Sequence, residues 1–203
     1  MGKRNKTKAK EIKKLYDETA CLYNLRYTEI QKHKYSLISN DILTKISLLK
    51  KPLYLVDIGC GTGIFFKFLF NELKIQEAHK KNLLKYICAD ISPNMMKKTF
   101  SLNHQRQFYD RLLLNAEFLP LTSHSFKFVF SFTMLQNMSN PLSTLNTLIS
   151  LLALNGFEVI SILKKVFTDV FLKQSLNALY GISSKIQKIS KKNCEDILIT
   201  VST

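Results

Sequence analysis

Three glycines and two carboxylates in the first half of the chain have the spacing of a ligand site. The run Leu53-Tyr54-Leu55-Val56-Asp57-Ile58 is apolar and closes on Gly59-Cys60-Gly61-Thr62-Gly63. An apolar run too short for a lone helix, ended by glycines, predicts a buried strand feeding a turn. Half of the chain's six glycines lie in those five residues, where positive φ or close approach of backbone to ligand calls for glycine. Ile64 to Phe70 predicts a helix, so the turn is expected at a helix N-terminus with N–H groups to spare. The second carboxylate, Asp90, ends the apolar run Leu84 to Ala89. An acid at the tip of a second parallel strand can accept from ribose hydroxyls. The chemistry indicated is the binding of a nucleotide-like ligand. A phosphate-binding P-loop would need Gly-Lys-Ser/Thr after the turn, and it is absent. A dinucleotide G-x-G-x-x-G counted from Gly59 meets Ile64 where its last glycine belongs.

Asp57-x-Gly59-x-Gly61-x-Gly63 resembles motif I of the class I S-adenosylmethionine (SAM)-dependent methyltransferases. Asp90-Ile91-Ser92-Pro93-Asn94-Met95-Met96 resembles that family's D-x-S-x-x-M-L, with Ser92 a fitting N-cap and Pro93 a fitting first helical residue. Asn115-Ala116-Glu117-Phe118-Leu119-Pro120-Leu121 resembles D-A-E-x-L-P-F, with Asn115 in place of the acid. YDETACLYNLRY, Tyr16 to Tyr27, resembles the YDxxAxxYDxxY stretch of small-molecule methyltransferases of the domain 11/25 type, including the ubiquinone/menaquinone-biosynthesis group; Asn24 stands where that pattern has Asp.

The resemblance implies S-adenosyl-L-methionine as cofactor. It implies Asp57, Gly59, Cys60, Gly61 and Gly63 beside the methionine portion, and Asp90 and Ile91 at the ribose. Asn115, Ala116 and Glu117 fall at the adenine, with Phe118 or Leu119 packing on its face. It makes Tyr23 and Tyr27 an aromatic lid and puts Gln136, with Asn137, on the acceptor side. The implied reaction is an SN2 transfer that needs an acceptor held about 3 Å from the methyl carbon and water kept out. No universal acid or base is required, so no catalytic residue is assigned, and no metal is implied. Ser131-Phe132-Thr133-Met134 stands where N-P-P-Y marks adenine-N6 and glutamine enzymes. The acid of the Lys-Asp-Lys-Glu ribose enzymes and the cysteine of the cytosine-C5 enzymes are missing too. A small-molecule acceptor stands first, with RNA or protein close behind. The alternative is a catalytically weak, methyltransferase-like RNA-binding or scaffold subunit, motivated by Asn24 and Asn115.

The elements that must hold these residues read as an α/β fold: a three-layer αβα Rossmann-like sheet of about seven mostly parallel strands with an antiparallel last strand. Strands are expected at 53–58, 84–90, 110–114, 125–132, 157–163 and 195–201, with a sixth at 183–189 unless it is reduced. Helices are expected at 36–50, 62–73, 141–153 and 166–180, with a polar loop over 74–83. Tyr16, Ala20, Tyr23 and Tyr27 share a helical face. Residues 1–14 read as a basic flexible arm passing into helix near Lys10, and 15–203 as a single domain whose first 35 or so residues form a helical lid.

The net charge of +15 invites a polyanion such as RNA. The excess is lysine, however; the arginines, better phosphate readers, are only Arg4, Arg26, Arg106 and Arg111. Cys21, Cys60, Cys88 and Cys194 have no C-x-x-C spacing, which argues for free thiols in a reducing compartment and against zinc. No apolar run approaches the ~20 residues of a membrane span. A cytoplasmic protein is expected, and an activating partner subunit is left open.

Overall fold

The computed structural model describes residues 2–99, 109–167, 169–180 and 185–203. The element order is α1 (Gly2–Ser36), α2 (Ser39–Ser47), β1 (Leu53–Ile58), α3 (Ile64–Phe70), α4 (Leu73–Lys80), β2 (Leu84–Asp90) and α5 (Pro93–Thr99). Then come β3 (Tyr109–Leu113), β4 (Phe126–Ser131), α6 (Pro141–Ser150), β5 (Leu152–Leu163), α7 (Asp169–Tyr180), β6 (Lys185–Ser190) and β7 (Asp196–Ser202). The strands form one seven-stranded sheet in the order β3-β2-β1-β4-β5-β7-β6. β1 to β5 run parallel, and β7 lies antiparallel between β5 and β6. This is the expected α/β Rossmann-like sheet.

Side chains of a strand alternate between its faces, and here they feed two cores. Leu55, Phe128 and Phe130 face one core with Tyr35, Ile42, Phe65 and Phe66 from α1, α2 and α3. Val56, Ile58 and Val129 face the other with Leu145, Leu148 and Leu172 from α6 and α7. A strand buried on both faces is mostly apolar, which explains the composition of β1 and β4, with Asp57 near the end of one and Lys127 near the start of the other. Strand order reverses between β1 and β4. The crevice beyond the carboxyl ends of these strands is where open α/β sheets bind ligands.

Several boundaries differ from the sequence reading. α1 is a 35-residue helix that begins at Gly2, so the stretch read as a flexible arm up to residue 14 is helical. The helix expected over 62–73 is two, and the 74–83 loop is largely α4. Ile75 and Ala78 are buried, and Gln76 Nε2 donates to Phe70 O at 2.8 Å; two apolar anchors outweigh the polar composition. The helix read at 36–50 is interrupted, because α1 runs on to Ser36 and α2 ends at Ser47. β5 starts at Leu152, upstream of the expected Phe157, and carries the Asn155-Gly156 turn signal as an irregularity: Asn155 has φ +56° inside the strand. β6 is a full strand paired along β7; its expected start, Ser183, lies outside the described residues.

Candidate active site

The glycine turn leaves β1 at Ile58 and folds over the tip of β2. Gly59, Gly61 and Gly63 have φ of +78°, +56° and +75°, the left-handed region that glycine enters without a Cβ penalty. A Cβ on Gly59 would also lie 3.0 Å from Met134. Gly59 N and Cys60 N both donate to Ala89 O, at 2.8 and 3.0 Å; Gly63 N donates to Cys60 O at 3.0 Å. Gly61 N donates to Asp90 Oδ2 at 2.8 Å. The amides of Gly59, Cys60, Gly61 and Gly63 are therefore already engaged, contrary to the expected spare donors. A turn with its amides turned inward is a poor phosphate cradle and suits a neutral or cationic ligand portion.

Asp90 sits at the end of β2, buried. Its Oδ1 accepts from Ser92 N at 2.8 Å, while Oδ2 accepts from Gly61 N. Burial pushes its carboxyl above the usual range, and these backbone bonds pull the other way. A carboxylate has about four lone-pair positions, so the bonds from the Ser92, Gly61 and Ile91 amides leave it capacity for a further donor from the cleft it lines. Asn115 lines the same cleft, and its Oδ1 accepts from Glu117 N at 3.0 Å, closing the turn after β3. The Glu117 carboxylate accepts from Ser139 N at 2.7 Å and from Asn140 N at 3.3 Å. It thus ties that turn to the loop ahead of α6.

The cleft has a volume of about 680 Å³ counted with the open space at its mouth. Its wall includes Gly59, Gly61, Asp90, Ile91, Asn115, Ala116 and Glu117. Of the expected cofactor residues, Asp57, Cys60 and Gly63 are not in it. Asp57 lies behind the turn, wholly buried, accepting from Tyr86 Oη at 3.0 Å. Burial raises its carboxyl to about 7 against the opposing Tyr86 bond. Cys60 Sγ packs 3.5 Å from Met96 Sδ, and burial pushes the thiol up. Gly63 caps α3. Phe118 is 64% exposed and outside the wall, and Leu119 packs in the α6/α7 core. Apolar surface comes instead from Ile58, Met95, Leu114, Met134 and Met138.

Helix α1 roofs the cleft. Ala9, Ile12, Tyr16 and Tyr23 line it, at the spacing of one helical face. The Lys8 ammonium donates to Met138 O. Asn137 Nδ2 donates to Tyr16 Oη at 2.9 Å. Asp17 Oδ1 accepts from Ser92 Oγ at 2.6 Å and Asn94 N at 3.0 Å, pinning the roof to the start of α5. Partial burial alone would raise the Asp17 carboxyl, but bonds from Lys13, Ser92 and Asn94 hold it below its ordinary value. Asn24, in place of the pattern's acid, accepts from Thr62 Oγ1 of the glycine turn. Sequence reasoning missed Ala9, Ile12 and the pinning role of Asp17; extending the Tyr16–Tyr23 face two turns upstream would have found the first two.

A second cavity, about 1030 Å³ with its open space, lies on the other side of Tyr16, Tyr23 and Thr133, which line both. Tyr27 and Gln136 line this second cavity and not the first. Tyr23 and Tyr27 pack with ring centroids 4.8 Å apart. Thr133 has φ +53° and is held there by Ser161 Oγ, 2.6 Å from its N, and by Asp196 Oδ2, 3.0 Å from its Oγ1. Asp196 pairs at 2.6 Å with Lys34, each side chain only 2% exposed. Among the described residues no group of three or more His, Cys, Asp or Glu is placed to hold a metal, and no helix is long and apolar enough to cross a membrane.

A family model described as a methyltransferase domain matches residues 27–190. The chain belongs to that family. Its sheet, glycine turn and strand-tip acid make it a class I SAM-dependent methyltransferase domain. An uncharacterised protein of Methanocaldococcus jannaschii is 28% identical over 182 residues, 89% of this methyltransferase chain and 62% of the relative; the chain thus spans under two thirds of that relative's length. A Methanococcus maripaludis structure, described as a candidate SAM-dependent methyltransferase, superposes with a TM-score of 0.68 at 14% identity, covering 94% of this chain and 93% of that one. A Haloferax volcanii candidate methyltransferase, solved with the Trm112 methyltransferase activator, gives 0.58 at 11% identity over 92% and 96%. At such identities these two structures share the fold with this chain.

Proposed function

We propose that the chain transfers the methyl group of SAM to a small-molecule acceptor. The observation that carries this reading is Asp90, a buried carboxylate held by backbone N–H groups at the tip of β2, lining the cleft beside a turn whose Gly59, Cys60, Gly61 and Gly63 amides are engaged. That arrangement suits a ribose diol next to an uncharged or cationic segment, and not a pyrophosphate. Asp90 and Ile91 would hold the ribose, Asn115 and Ala116 the adenine, and Gly59 and Gly61 would lie along the methionine portion. Asp57, Cys60 and Gly63 would act one layer back, by shaping the turn. SAM, when bound, supplies a methyl carbon made electrophilic by its sulfonium. The roof formed by α1 excludes water, and the Tyr16 and Tyr23 rings offer faces that attract a cation.

Tyr16, Tyr23 and Thr133 form the wall shared by the two cavities, and no carboxylate or imidazole lines both. Burial raises both tyrosines above the ordinary phenol value, so near neutrality their hydroxyls are donors, not bases. The acceptor must therefore bring its own nucleophilicity. The enclosed position of the shared wall favours a small acceptor over a folded RNA or protein. The buried free thiols Cys60, Cys88 and Cys194 suit a reducing compartment and support a cytoplasmic placement. Isotope-labelled SAM offered to metabolite, RNA and protein fractions tests the reading. Label in the metabolite fraction is expected; label confined to RNA or protein, or transfer that requires an added activator subunit, would replace the acceptor or partner assignment.

A further inference from the structure

We propose that the second cavity selects a ring-bearing small molecule that presents an N–H or O–H donor to the Gln136 side-chain oxygen. The proposal rests on the methyltransferase reading and names the acceptor class for it. Gln136 Nε2 donates to Thr133 O. A backbone carbonyl only accepts, so this bond fixes which end of the amide is which. The other end, Oε1, is buried and has no hydrogen-bond partner among the described residues. Gln31, 6% exposed, presents a second buried and unpartnered Oε1. Both glutamines line the second cavity with the rings of Tyr16, Tyr23 and Tyr27. Buried polar atoms are nearly always paired, and a lone amide oxygen left dry is destabilising. A ligand donor removes that deficit, whereas a donor-free isostere of the same shape leaves it in place.

The charges around the cavity do not substitute for that donor. Lys34 and Asp196 neutralise each other at 2.6 Å. Arg26, Lys165 and Glu195 line the cavity from exposed positions. The buried end is therefore aromatic and neutral, with acceptor oxygens in want of a donor.

The test uses two near-isosteric pairs on the protein saturated with S-adenosylhomocysteine: indole against benzofuran, and 2-naphthol against 2-fluoronaphthalene. Binding is read by ligand-observed NMR. In the native chain each donor-bearing member is expected to bind about tenfold more tightly than its partner. In Gln136→Leu that ratio is expected to fall to about one, with benzofuran gaining. Equal binding within both pairs, an unchanged ratio in Gln136→Leu, or no binding of either donor at millimolar concentration would overturn the proposal. The native-chain comparison holds whether or not the variant folds, and Gln136→Met provides a second variant. Calorimetric titration of the ligand-free chain with S-adenosylhomocysteine keeps the two readings apart. Its failure with donor selection intact would sink the methyltransferase reading alone; its success without selection would sink this inference alone.

Discussion

The two cavities share Tyr16, Tyr23 and Thr133 but are held together by different means. The first is built mostly from backbone geometry: positive-φ glycines, amides folded onto Ala89 O, and one carboxylate bonded to neighbouring main-chain N–H groups. Its key bonds join residues close to the tips of adjacent strands. The second is built from side chains that lie far apart in sequence: Lys34 on α1 meets Asp196 on β7, and Thr133 after β4 meets Ser161 on β5. A backbone-built site fixes one ligand chemistry and tolerates changes in its surroundings. A side-chain-built site can change specificity by substitution, but each substitution threatens the fold.

The largest expected effect tests the second cavity's dependence on side chains. Lys34→Met leaves Asp196 buried without its partner and should cost about 3–5 kcal/mol in urea unfolding. Lys34→Met with Asp196→Leu should recover most of that loss. A single substitution costing under about 1 kcal/mol would show that the pair does not hold this side together. Gly59→Ala probes the first cavity, where positive φ is joined by the 3.0 Å approach to Met134; a loss of about 2 kcal/mol is expected. Gly61→Ala, with only Tyr23 at 3.8 Å, should cost less, about 1 kcal/mol.

Titration sharpens the contrast further, because each core hides one acid. Asp57 lies behind the first cavity with its carboxyl raised from 3.8 to about 7, chiefly by burial. Glu158 on β5 is fully buried in the sheet, both oxygens without a partner among the described residues, and burial raises it from 4.5 to about 8. A folded-state pKa above the unfolded one favours folding fully below the unfolded value, and the contribution is lost as pH rises through the folded value. The urea midpoint should therefore fall from pH 5 to 8.5. Glu158→Gln should make the whole fall shallower and remove its part above about pH 7, whereas Asp57→Asn should make only the part below about pH 7 shallower. A flat profile in the native chain would contradict both placements. The smallest effect is expected at Asn24→Asp, which restores the acid of the related pattern. Thr62 can donate to either side chain, so stability should change by no more than about 0.5 kcal/mol.

What was legible in the sequence follows the same division. Asp90, Ile91, Asn115, Ala116, Gly59 and Gly61 could be placed because the strand–turn–helix pattern fixes where a strand tip and its turn lie. Asp57 and Cys60 share that motif yet stand outside the first cleft: Asp57 leaves β1 on the side opposite Ile58, which lines it, and Cys60 in the turn packs against Met96. The strands of the sheet were legible from their apolar runs. α4 was not, because Ile75 and Ala78 are lost among polar neighbours. The Lys34–Asp196 pair was illegible on principle: nothing local marks a lysine on α1 as the partner of an aspartate on the last strand.

The central claim is that Asp90 and the glycine turn bind SAM independently of the acceptor side. Calorimetric titration of S-adenosylhomocysteine into the native chain, Asp90→Asn and Gln136→Leu tests it most directly. The account predicts binding to the native chain, at least about tenfold weaker binding to Asp90→Asn, and native affinity within about twofold for Gln136→Leu. No binding to the native chain at millimolar ligand, or equal affinity for Asp90→Asn and the native chain, would contradict it.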